Sequence, residues 1–102
     1  MGDLVHINSN NPLVGEWVSS DGFSDVIVTI SISGNKFSIN VVDASDDEVA
    51  EVFEVTYVNK QLKFNVHWPS SGRFIKYAFL LTDNDTVSVS YIYSGQETWK
   101  RR

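Results

Sequence analysis

A chain of 102 residues, 42% hydrophobic and 13% aromatic, carries enough apolar side chain for one packed core and too little length for two domains. Thirteen acidic against eight basic residues give a formal charge of −5, which argues against nucleic acid as a partner because phosphate binding needs clustered Lys and Arg. Cysteine is absent, so disulfides, thiolate metal ligands and a cysteine nucleophile are excluded.

Residues 1–12 are polar apart from Leu4, Val5 and Ile7, and end in Asn8-Ser9-Asn10-Asn11-Pro12, which reads as an irregular leader. The start lacks the basic residues and apolar run of a secretion signal, and no run anywhere approaches a membrane span, so a cytoplasmic protein with no membrane partner is expected. A leader removed before maturation would leave the same sequence. His6 stands where a myristoylation pattern wants Ser or Thr, and the sequon-like Asn84-Asp85-Thr86 reads as a turn.

From Leu13 onward one domain, residues 13–102, is expected, built of short strands joined by turn signals. Residues 14–19 form the first, and Ser20-Asp21-Gly22 turns the chain with Phe23 as a cover at one end. Residues 25–33 alternate, with Val26, Val28, Ile30 and Ile32 on one face. Gly34-Asn35 is a two-residue hairpin signal, since primed turns need positive φ. The return strand 36–42 points Phe37, Ile39 and Val41 inward. An acidic loop, residues 43–48, leads to a longer strand 49–58 with Glu51, Phe53, Val55 and Tyr57 expected inward and Ala50, Val52 and Val58 outward.

Asn59-Lys60 turns into 61–67, where Leu62, Phe64, Val66 and then Trp68 alternate with Lys63, Asn65 and His67. Pro69-Ser70-Ser71-Gly72 breaks the run. Strand 73–82 follows with Ile75, Tyr77, Phe79 and Leu81 inward. Then come 86–93, with Val87, Val89, Tyr91 and Tyr93 on one face, and 96–101 as an eighth strand. No segment keeps a helical period. Short connections predict an all-β, eight-stranded antiparallel up-and-down meander, closed into a β-barrel so that no edge is left exposed.

The Gly15-Glu16-Trp17 triplet, opening such a meander whose last strand ends Trp99-Lys100-Arg101, resembles the calycin group of lipocalins, fatty-acid-binding proteins and avidins. The resemblance implies a lipocalin-like barrel whose floor is Gly15 and Trp17, with Arg101 packing over the indole, and Lys100 as the next choice. The chain departs from that group in being short, in lacking the disulfides and flanking helix of lipocalins, and in having no helical lid between its first two strands.

The inward aromatic set, Phe37, Phe53, Tyr57, Phe64, Trp68, Tyr77, Phe79, Tyr91 and Tyr93 with Trp17 below, would line a ligand site for a small hydrophobic or aromatic molecule. An eight-stranded barrel is only just wide enough to be filled by side chains or to hold one small ligand, so both readings stand. Buried phenols need hydrogen-bond partners, which favours a polar-tipped pocket.

Catalysis would rest on Glu51 or His67 as an isomerase or hydrolase base. Glu51 would pair with an inward Arg73, whereas His67 is expected on the polar face; neither motif nor spacing supports an enzyme strongly. No metal-ligand spacing and no cofactor motif is present, and the acidic loops read as turns. On the outer wall, Phe74, Ala78, Leu80 and Ile92 suggest an apolar patch through which the chain would form a homodimer or bind another protein. The expected function is therefore non-covalent binding of a small apolar or aromatic molecule. The alternative is a filled interaction module that works through its outer patch.

Overall fold

Alternating side chains direct this chain into strands throughout, and the computed structural model, which describes residues 11–19, 22, 24–83, 85–94 and 100–101, shows strands joined by turns and no helix among them. In chain order they are β1 (Gly15–Val18), β2 (Val26–Ser33), β3 (Lys36–Asp43), β4 (Glu48–Val49), β5 (Glu51–Val58), β6 (Gln61–Trp68), β7 (Arg73–Asp83) and β8 (Thr86–Ser94). They form two four-stranded antiparallel sheets, β1-β2-β3-β4 and β5-β6-β7-β8, in which every strand pairs with its neighbour in sequence. No helix among the described residues is long and apolar enough to cross a membrane. The first ten residues with His6, the Phe23 cover, Asn84 and residues 96–99 of the expected final strand lie outside the described residues.

The meander is present, but neither sheet closes on itself and no pairing joins β1 to β8. The strand expected to close the barrel, residues 96–101, lies outside the described residues except for 100–101. Residues of β1, Trp17 among them, and Asp85 in the turn before β8 line one open recess of about 430 Å³. The single strand expected over 49–58 is broken at Ala50. There the chain leaves the first sheet as β4 and enters the second as β5, while the Ala50 amide donates to the Val41 carbonyl (2.9 Å) and continues the ladder around the corner. Glu48 fastens the corner by accepting from the Ser70 amide (2.9 Å) and hydroxyl (2.7 Å) in the β6–β7 loop.

The inner faces of the two sheets share one core. Val28, Ile30, Phe37 and Val41 from the first meet Leu62, Phe64, Val66, Trp68, Ile75 and Phe79 from the second, with Leu13 and Ala50 at the margins. Leu62, Phe64 and Val66 are wholly inaccessible, as the period-two pattern of β6 requires. Phe37 and Tyr57 touch across the sheets, ring centroids 4.9 Å apart.

In β5 the expected faces fail. Val52 pairs with buried Val66, and Phe53 with Asn65, but after a bulge it is Thr56 that pairs with Lys63 and Tyr57 with buried Leu62. Cross-strand partners share a face, so Val52 and Tyr57 point inward, whereas Glu51 and Phe53 point outward. Ala50, expected outward, is buried. Glu54, inside the bulge, has φ +56°.

Candidate functional site

Core coverage ends at β7. Ile75, Tyr77, Phe79 and Leu81 pair with Tyr93, Tyr91, Val89 and Val87, so these eight side chains lie on one inner face. Val87 still packs against the core, yet Tyr91 is 64% and Tyr93 54% exposed. Side chains that the pattern directs inward are thus left open to solvent. Arg73, at the end of the same row, donates from Nη1 to the Tyr93 hydroxyl (3.0 Å), and its guanidinium carbon stands 5.5 Å from the Tyr93 ring centre.

Aromatic rings lead from this opening into the core: Tyr91 meets Tyr77 at 6.4 Å between centroids, and Tyr77 meets Phe64 at 5.4 Å. Burial pushes the Tyr77 phenol above its ordinary range, and the nearby Tyr93 and Tyr91 phenols push it the same way, so it stays a neutral donor and acceptor at physiological pH. Three phenols and one guanidinium on an apolar floor can stack on a flat molecule and hydrogen-bond to its polar edge.

The other residues expected to line a ligand site are scattered by the fold. Phe37, Phe64, Trp68 and Phe79 are buried core, and Tyr57 is half-buried against it. Phe53 lies on the outer wall, turned there by the register of β5 before its bulge. A second open recess, about 300 Å³, lies by Phe37, Val55 and Tyr57.

On the outer wall Glu51 and His67 are direct cross-strand partners, with His67 Nδ1 2.5 Å from Glu51 Oε1. Phe74 stacks on the imidazole at 4.5 Å and meets Phe53 edge-on at 6.2 Å. The expected Glu51–Arg73 pair does not form, because the two side chains are on opposite faces of the sheet. Among the described residues no group of three or more His, Asp or Glu side chains could hold a metal ion.

Phe74, Ala78, Leu80 and Ile92 share the outer face. Lys76 separates Phe74 from Ala78 and sits directly opposite Ile92, and Ser88 and Ser90 stand opposite Leu80 and Ala78. At the floor, Trp17 packs against the core and donates from Nε1 to the Leu13 carbonyl (2.9 Å). Arg101 is exposed and makes no cation–π contact with Trp17. A Cβ at Gly15 would meet nothing within 4 Å, so this glycine is not clearing space for the ring; its φ of +144° is what calls for glycine.

Comparison with known proteins adds no relative: the chain matches no family model, no curated protein and no solved structure. The class defined by fold and site is an all-β, two-sheet meander with an aromatic, arginine-edged opening on its inner face.

Proposed function

We propose that this chain is a small, non-catalytic binding protein that holds a flat apolar or aromatic molecule over the inner face of β7 and β8. The observation that carries the reading is the exposure of Tyr91 and Tyr93 on a face otherwise given to the core, beside Tyr77 and Arg73. The calycin likeness enters as precedent for a meander that keeps a small molecule on its inner wall, and closure into an eight-stranded lipocalin-like barrel is the finer form of the same proposal. A cysteine-free chain suits the reducing cytoplasm. Absence of chemistry is supported by the placement of Glu51 and His67, which meet on the open outer wall away from the aromatic opening.

One observation favours the second reading, an interaction module: the middle of the molecule is filled by Leu62, Phe64 and Val66. Under that reading the exposed aromatics contact a protein. Amide NMR with a library of aromatic and lipid compounds separates the two. Ligand binding predicts shifts confined to β7 and β8, and an affinity about tenfold weaker, or ~1.4 kcal/mol, in the Tyr91→Ala/Tyr93→Ala double variant. A library without response, or one whose binding ignores that variant, would sink the ligand reading.

A further inference from the structure

Of the eight strands among the described residues only β2 and β8 contain no charged residue. The reason is plain for β2, which lies between β1 and β3 with partners on both sides. β8, Thr86-Val87-Ser88-Val89-Ser90-Tyr91-Ile92-Tyr93-Ser94, has the composition of a central strand but among the described residues pairs only with β7. The devices that usually protect an edge are lysine, proline, a bulge or brevity. β1, at the edge of the other sheet, is four residues long, contains Glu16 and follows Pro12, whereas β8 from Thr86 on has none of these devices.

We propose that β8 pairs antiparallel with β8 of a second copy of this chain, Ser90 facing Ser90 across the two-fold axis. About that residue the inner-face positions mirror one another in being apolar or aromatic, Val87 and Val89 on one side and Tyr91 and Tyr93 on the other. In this register Tyr91 lies opposite Val89 and Tyr93 opposite Val87 on the inner face, aromatic against β-branched, a favourable cross-strand combination. On the outer face Ile92 lies opposite Ser88. No like charges meet, although each chain carries −5 overall. Two four-stranded sheets become one of eight, and the isologous contact closes after two copies. Tyr91 and Tyr93 of both copies then form one aromatic strip, so each aromatic opening is completed by its partner. The pairing rests on the edge rather than on a ligand, so the two proposals fail separately.

The cysteine-free chain makes the test clean. Directly opposed residues in antiparallel strands have Cα atoms about 4.5–5.5 Å apart, within disulfide reach. Ser90→Cys is expected to give a disulfide-linked dimer under mild oxidation. Ser88→Cys, about 13 Å from its symmetry mate in this register, is expected to stay unlinked. Light scattering of the unmodified full chain is expected to give twice the monomer mass, and Ser90→Lys, an exposed change that opposes two like charges, to weaken self-association at least tenfold. A monomer at ~100 μM, a concentration that would populate even a weak pair, overturns the proposal. So does linkage in Ser90→Cys no greater than in Ser88→Cys.

Discussion

Glu54 shows how one residue redirects a strand. Its left-handed backbone, φ +56°, costs a side-chain-bearing residue roughly 1–2 kcal/mol, and the position is held by the Asn65 amide, which donates to Glu54 Oε2 at 2.6 Å. Glu54→Ala and Glu54→Gly both lose that bond, but only glycine relieves the backbone. The glycine variant should therefore be the more stable of the two by about 1 kcal/mol in chemical denaturation, and equal midpoints would show that no strain resides there. This residue also marks where reading stops short. Alternation located the inward rows of β2, β3, β6, β7 and β8 because each keeps its period over those rows, the one register shift of β7 falling past Leu81. An inserted residue leaves no trace in a hydrophobic pattern, so Tyr57 was legible as inward whereas Phe53 was not. Trp17 was legible as a core-facing ring, but the reason for Gly15 was not, since a φ angle is invisible in the letters.

At the level of elements, the hairpins at Gly34-Asn35 and Asn59-Lys60 solve the same problem differently. Gly34 has φ +64° and Asn35 does not share the positive sign, the pattern of a type II′ turn. Asn59 and Lys60 are both positive, +55° and +65°, the pattern of type I′. Lysine suits that second position poorly, and Asn-Gly is the favoured pair. Lys60→Gly should raise the stability of the β5–β6 hairpin, and with it the protein, by about 1 kcal/mol, read as a higher melting temperature; a lower one would mean that the lysine side chain contributes more than its backbone costs. Both hairpins were legible because their residues announce them. The Ala50 corner was not, for Val49-Ala50-Glu51 reads as uninterrupted strand and the turn from one sheet to the other is imposed by tertiary packing. The tyrosine–arginine opening was legible only in part: period two placed Tyr77, Tyr91 and Tyr93 together, but their exposure is set by tertiary packing, which the pattern does not carry.

For the whole molecule, the shared core decides how it comes apart. Neither sheet buries its inner face alone, because Phe37 and Val41 of one and Phe64 and Phe79 of the other belong to a single core. Unfolding should then be a single transition. Urea melts followed by far-ultraviolet circular dichroism and by tryptophan fluorescence of a Trp99→Phe variant, which samples Trp17 in the first sheet and Trp68 in the second, should coincide; separate midpoints would show that the sheets melt independently. The Ala50 corner has a further consequence for how the chain comes together. It divides the sequence so that all pairings of the first sheet fall before residue 50 and all those of the second after it, with only short hairpin closures in either half. Such local wiring lowers the entropic barrier that usually slows all-β chains. During synthesis the first sheet has all its strands before the second is made, and it must wait with its apolar face bare until β6 arrives to cover it.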